Sequence, residues 1–231
     1  MIPSTHFKPI SPQQGLPTVN HPVEQNDSSL LISAGPIVPV ANFENASHAS
    51  QCSELFQQAG VPSVEVTLRR SNAWESLAAC LSAMPDKLIG VGTILTQDQL
   101  RKANDMGASF AISPGLDPDL VELARKLEIP YYPGIATASE LMLAHKLGLS
   151  AVKFFPAEAA GGVKLLKSLT APLPEMWFCP TGGIGLHNYQ DFLAIPQVAC
   201  VGSSAVVPSL EALKSDCSDL VSELKKVYSP P

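Results

Sequence analysis

Ala151-Val152-Lys153-Phe154-Phe155-Pro156 is a short apolar run with an ammonium in its middle. A run of this length bounded by turn signals has the pattern of a strand covered on both faces, as in a parallel sheet. Lysine is almost never fully buried without a partner, because stripping water from its charge is costly. Two readings of Lys153 therefore compete. In one, the side chain snorkels or forms an ion pair near the strand end. In the other, apolar surroundings keep the amine neutral, so that it can attack a carbonyl and form a Schiff base.

Outward from Lys153, the same kind of run recurs along the chain. Strand-like segments begin near Gly35 (GPIVPVA), Ser63 (SVEVTL), Leu88 (LIGVGTI), Phe110 (FAISPG), Ile129 (IPYYPGI), Glu175 (EMWFCPTG) and Gln197 (QVACVGSS). Helical periodicity fills the gaps, over Ala46–Ala59, Ala73–Met84, Gln97–Met106, Pro118–Leu127, Ser139–Leu147, Gly162–Leu169, Asn188–Leu193 and Leu210–Val227. Gly60, Gly107 and Gly148 stand where helix C-termini need a left-handed residue. Eight such units with few strictly alternating strands predict a single-domain (β/α)8 TIM barrel over residues 29–231. An open doubly wound sheet would want G-x-G-x-x-G after its first strand, and the chain has none there.

Residues 1 to about 28 differ in kind. Pro3, Pro9, Pro12, Pro17 and Pro22 lie among polar residues without periodicity, so a disordered or loosely docked tail is expected. The 231-residue chain is 45% hydrophobic and carries a net charge of -6, with no Lys/Arg cluster. That balance excludes nucleic acid and an anionic membrane as expected partners, and no apolar run approaches the roughly 18 residues of a membrane span. Five dispersed cysteines without C-x-x-C spacing suggest neither a disulfide framework nor a zinc site. The histidines show no ligand spacing, so no metal is expected, and a reduced cytoplasmic compartment fits best.

In a barrel of this kind chemistry belongs to the carboxyl ends of the strands. Alternation along Val64-Glu65-Val66-Thr67-Leu68-Arg69 puts Glu65, Thr67 and Arg69 on one face, toward the barrel mouth. An inward carboxylate is expensive unless paired, so Glu65 is either a proton-transfer group or a structural partner of Arg69 or Lys153. Arg69 offers a planar fork for a carboxylate. Thr93, after Gly90-Val91-Gly92, either binds substrate through its hydroxyl or caps the next helix. Ser113-Pro114-Gly115 is a turn signal as much as a site. Thr181-Gly182-Gly183-Ile184-Gly185 and Gly202-Ser203-Ser204 close the seventh and eighth strands, where barrels often bind phosphate. Gly161-Gly162 could form a lid over the site.

These segments resemble the 2-keto-3-deoxy-6-phosphogluconate (KDPG) and 4-hydroxy-2-oxoglutarate (KHG) aldolases. The resemblance is carried by GPIVPV (35–40), EVTLR (65–69), GVGTIL (90–95), FAISPGL (110–116), KFFPAE (153–158), FCPTGGI (178–184) and CVGSS (200–204). It implies a class I aldolase on a homotrimeric barrel, with no cofactor and no metal, acting on a phosphorylated 2-oxo acid. By the same resemblance Lys153 is the Schiff-base lysine and Glu65 the general acid/base. Arg69 and Thr93 would hold the substrate carboxylate, Gly182, Gly183 and Ser204 the phosphate. Phe155 and Pro114 would line the pocket, and Thr181 would touch the substrate chain. The implied reaction yields pyruvate and D-glyceraldehyde 3-phosphate; KHG or the 6-phosphogalactonate epimer are alternative substrates. Departures at Ala41–Asn45 (ANFEN), Arg70 and Ala205 bear on substrate breadth. A sugar-phosphate isomerase or epimerase, and a barrel that binds without catalysis, are the readings from other classes.

Overall fold

The computed structural model describes residues 28–228. The expected N-terminal tail lies outside them except for Ser28, which opens a helix that the sequence reading did not anticipate, α1 (Ser28–Ser33). Eight parallel strands follow: β1 (Ile37–Ala41), β2 (Ser63–Thr67), β3 (Leu88–Gly92), β4 (Phe110–Ser113), β5 (Tyr131–Ile135), β6 (Ala151–Phe154), β7 (Trp177–Pro180) and β8 (Val201–Ser203). Their order is β7-β6-β5-β4-β3-β2-β1-β8, and parallel bridges Phe178–Val198 and Thr181–Gly202 bring the two ends together. The result is the expected (β/α)8 barrel.

Between the strands run α2 (Ala46–Ala59), α3 (Ala73–Ala83), α4 (Gln97–Asp105), α5 (Pro118–Leu127), α6 (Ala138–Lys146), α7 (Ala157–Ala160), α8 (Gly162–Thr170) and α9 (Tyr189–Leu193). Their starts are fixed locally. Thr96 and Thr137 each form a capping box, with Gln99 and Glu140 respectively, satisfying amide donors that a helix start leaves unpaired. This settles one alternative at Thr93, because the cap of α4 is Thr96. Two boundaries differ from expectation. Gly161-Gly162 does not form a free lid; it is the break between α7 and α8, with both glycines at positive φ. The last helix is interrupted. A 3-10 turn, Ala212–Lys214, precedes α10 (Ser218–Tyr228), and the Asp216 carboxylate accepts the Ser218 N–H at the restart.

Strand alternation sorts the core into two bodies. Val64, Val66, Ile89, Val91, Val152 and Phe154 face outward into one cluster with the helix layer. Val38, Phe110, Ile112, Tyr132, Ala151, Cys179 and Cys200 form the second cluster, inside the barrel. Leu31 and Ala34, from α1 and the residues after it, join that inner cluster. The Ser63 hydroxyl donates to the Ala34 carbonyl at 2.6 Å, so this short segment plugs the amino-terminal end. The barrel floor is thus apolar and closed. Glu65, Thr67, Lys153 and Thr181 share the inward parity but stand farther along their strands, toward the carboxyl ends.

Candidate active site

Lys153 on β6 and Glu65 on β2 are four strands apart in the eight-strand ring, and so face each other across its axis. The Lys153 Nζ donates to Glu65 Oε1 at 3.2 Å and to Oε2 at 3.4 Å. The two side chains keep only 5% and 2% of their exposure. Desolvating two charges costs several kcal/mol per ion, and close pairing with good geometry is what offsets it. Space for the carboxylate comes from β3. A Cβ on Gly92 would fall 1.8 Å from Glu65 Oε1, so the carboxylate lies over bare backbone. The Phe155 ring stands beside the amine, its centroid 5.4 Å from Nζ, within cation–π reach.

Apolar groups do not enclose the amine alone: its immediate partner is the Glu65 carboxylate, one of the pairings that the sequence leaves open. β2 ends at Thr67, so Arg69 lies in the following turn, exposed, and makes no ion pair among the described residues. A guanidinium at the rim is free to meet an incoming carboxylate.

Thr93 is the strained point of the rim. Its φ of 64° is left-handed, a region that β-branched residues rarely enter and that costs about 1–3 kcal/mol. Hydrogen bonds on both sides hold it there, from Leu68 N to the Gly92 carbonyl at 2.9 Å and from Ile94 N to the Ile112 carbonyl at 3.0 Å. Pro114 is exposed after β4, and its carbonyl presses on the bare backbone of Gly134, where a Cβ would come within 2.2 Å. Gly134 is the register partner of Lys153. A buried relay fixes this turn: Tyr131 donates to Ser113 Oγ at 2.6 Å, and Ser113 donates to the Gly115 carbonyl at 2.7 Å.

On the other side of Lys153, its register partner is Cys179. The hydrogen bond from the Cys200 thiol holds Cys179 below the ordinary thiol range against the effect of burial, and Lys153 adds to the lowering. The same hydrogen bond and burial push Cys200 well above that range. Thr181 is buried beside Gly202, with its hydroxyl 3.4 Å from the Cys179 carbonyl. Gly182 and Gly183 follow at φ 104° and 77°, and Gly182 packs against Phe155, linking the glycine loop to the lysine. Ser204 is exposed after β8. Among the described residues, no protein acceptor takes the N–H of Gly182, Gly183 or Ser204. A carboxylate–amine pair, a strained hydroxyl, a free guanidinium and free backbone donors therefore share the carboxyl-terminal rim.

The family model of the KDPG and KHG aldolases matches residues 29–224. The chain belongs to that family. A 2-dehydro-3-deoxy-phosphogluconate aldolase of Dickeya dadantii is 43% identical over 196 residues, 85% of this chain and 92% of its own. Among solved structures, KDPG aldolase of Legionella pneumophila, with pyruvate captured as a covalent carbinolamine intermediate, is 40% identical at a TM-score of 0.82. That match covers 89% of this chain and all of the other. KDPG aldolase of Zymomonas mobilis with 3-phosphoglycerate is 34% identical at the same TM-score, covering 89% and 97%.

Two further residues at this rim take roles that the sequence does not assign them. The Ser203 hydroxyl donates to the Ile184 carbonyl at 2.7 Å and accepts the Ala205 N–H at 3.2 Å. Asn188 accepts the Gly185 N–H at 2.9 Å and donates to the Gly183 carbonyl at 3.2 Å and Glu158 Oε1 at 3.4 Å. The tandem serines after Gly202 were a signal for the first. Nothing in the sequence pattern marked Asn188, because a turn asparagine is common. Among the described residues no group of three potential metal ligands occurs.

Lys153→Ala in this aldolase strands a buried carboxylate and should destabilise the fold by about 3–5 kcal/mol. Combining it with Glu65→Gln should recover part of that loss in urea unfolding; strict additivity of the two variants would contradict a direct pair. Thr93→Gly should relieve the left-handed strain, raising Tm by about 2–4 °C per kcal/mol recovered. A fall in Tm would mean that the hydroxyl or methyl contributes more than the strain costs.

Proposed function

We propose that this enzyme is a cytoplasmic class I aldolase that cleaves 2-dehydro-3-deoxy-6-phosphogluconate to pyruvate and D-glyceraldehyde 3-phosphate. One observation carries the proposal: a lysine and a glutamate, both buried and 3.2 Å apart, stand under the open rim of the barrel. Amine attack on a ketone needs an unprotonated nitrogen, and a carboxylate in hydrogen-bond contact can take the ammonium proton. That transfer turns an ion pair into a neutral amine and a carboxylic acid, so the dry pocket gains no net charge.

The neutral Lys153 Nζ then adds to the C2 ketone. The carbinolamine loses water, using the proton held by Glu65, and leaves a protonated imine beside C3. The Glu65 carboxylate, through a water, takes the C4 hydroxyl proton. The C3–C4 bond breaks, its electrons pass into the imine to form an enamine, and the aldehyde leaves. Returning that proton to C3 and hydrolysing the imine releases pyruvate and restores the amine. Arg69 and Thr93 hold the substrate carboxylate at the rim, Phe155 and Pro114 line the pocket, and Thr181 touches the substrate chain. Gly182, Gly183 and Ser204 receive the phosphate through backbone N–H groups and a hydroxyl. The Zymomonas mobilis relative, solved with 3-phosphoglycerate, supports a phosphorylated ligand in this family. A homotrimer belongs to the same reading, and the exposed Leu95, Met142 and Leu143 offer apolar surface for copies to cover.

Steady-state cleavage assays test these roles. Lys153→Ala should lose essentially all aldol cleavage, and Glu65→Gln should slow it by on the order of 10²–10⁴-fold. Ser204→Ala should weaken only phosphorylated substrates and spare unphosphorylated 4-hydroxy-2-oxoglutarate. Substantial cleavage by Lys153→Ala would falsify the Schiff-base assignment.

A further inference from the structure

The proposed phosphate donors come from two separate pieces of chain. Gly182 and Gly183 follow β7, whereas Ser204 follows β8. Among the described residues the chain around β7 and β8 pairs through the isolated bridges Phe178–Val198 and Thr181–Gly202, not through a continuous ladder like the other neighbours. Backbone pairing at this seam therefore constrains the two loops less than it does elsewhere in the barrel. Contacts beyond the sheet help to set the distance between the donors.

One hydroxyl bridges them. Ser203 is 1% exposed, and its Oγ donates to the Ile184 carbonyl in the glycine loop while accepting the Ala205 N–H in its own loop. Both of its hydrogen-bonding roles are filled by backbone, one on each side of the seam. Ser204 lies between the two atoms of its own loop that are fixed, Ser203 Oγ and Ala205 N. The glycine loop is tied from its other end by Asn188. Its amide accepts from Gly185 N and donates to the Gly183 carbonyl, and it also reaches Glu158 after β6. A Cβ on Gly185 would lie 3.3 Å from the Ala205 Cβ, so the two loops are already in close contact. Neither Ser203 nor Asn188 needs to touch the ligand to matter. Backbone N–H groups of Ala157 and Glu158 donate to the Thr181 and Gly182 carbonyls, Asn188 and Ser203 donate to those of Gly183 and Ile184, and the N–H groups of Gly182 and Gly183 are left without a protein acceptor among the described residues.

We infer that Ser203 and Asn188 are positioning residues that hold the two halves of the anion cradle at one spacing, and thereby set the enzyme's preference for a phosphorylated substrate. This role depends on the phosphate reading of Gly182, Gly183 and Ser204 given above. A cradle made of preorganised backbone donors binds a tetrahedral dianion without ordering cost, and loosening either half forfeits part of that advantage. Removing the Ser203 hydroxyl also leaves the Ile184 carbonyl without its donor, which relaxes the loop rather than abolishing the fold.

The test compares wild type, Ser203→Ala, Asn188→Ala and Ser203→Thr on two substrates, 2-dehydro-3-deoxy-6-phosphogluconate and the same acid without its phosphate. Inorganic phosphate is titrated as an inhibitor alongside. Both alanine variants should raise KM for the phosphorylated acid about tenfold while kcat moves less than about twofold, the signature of lost binding rather than lost chemistry. Inhibition by inorganic phosphate should weaken in parallel, kcat/KM for the unphosphorylated acid should stay near the wild-type value, and Ser203→Thr, which keeps the hydroxyl, should restore the preference. If Ser203→Ala does not fold, Asn188→Ala, at a half-buried side chain, carries the same comparison. KM rising equally for both substrates, or phosphate inhibition unchanged in the alanine variants, would overturn the positioning role. A wild-type enzyme that neither prefers the phosphorylated acid nor responds to phosphate overturns the cradle reading itself.

Discussion

A buried ammonium needs a buried anion, and much of this structure follows from that requirement. Lys153 lies on one wall of the barrel and Glu65 on the opposite wall, so neither can be satisfied by its own strand. Only closure of the eight strands brings them to 3.2 Å. Closure alone is not enough, because the carboxylate must pass over β3, and only a residue without a side chain at Gly92 lets it through. The pair in turn makes the barrel mouth intolerant of partial change. Removing either partner leaves a lone charge, whereas moving one proton between them leaves two neutral groups. The proposed reaction uses that second option.

The rest of the barrel keeps the pair dry below and reachable above. Inward apolar side chains and the short α1 segment fill the amino-terminal end, so the pair sits on a closed floor. Above it the strands end in turns whose polar groups are held by backbone. Thr93 is pinned in a left-handed conformation between two ladder-like hydrogen bonds, and Tyr131 and Ser113 fix the Pro114 turn from behind. Such rigidity is useful where donors must meet charge without rearranging. Family membership and the likeness to solved aldolases accord with a site of this design.

The sequence was most legible where local physics acts alone. All eight strands appear within a few residues of their expected places, because buried parallel strands are short apolar runs bounded by turn residues. Helix ends at Gly60, Gly107 and Gly148 were readable from the need for positive φ, which all three adopt. The site was legible in part for the same reason: Lys153 and Glu65 stood out as charges in apolar runs. That they pair with each other was one of two alternatives, since a contact between residues 88 positions apart leaves no periodic trace. Arg69 illustrates the limit of alternation. Alternation in the sequence runs through Arg69, but the strand stops at Thr67, and beyond a strand end period two no longer fixes direction. Ser203 was legible as a hydroxyl at the phosphate corner but not as a bridge, and Asn188 was not marked at all, because hydrogen bonds to backbone atoms leave no side-chain pattern.

The central claim is that Lys153 is a nucleophile and not only half of an ion pair. Borohydride reduction in the presence of pyruvate, followed by peptide mass spectrometry, tests it most directly. The account predicts a stable pyruvate-derived adduct on Lys153, formed by wild type and formed more slowly by Glu65→Gln. No adduct, or an adduct on a different lysine, would contradict it and leave the buried pair a structural feature.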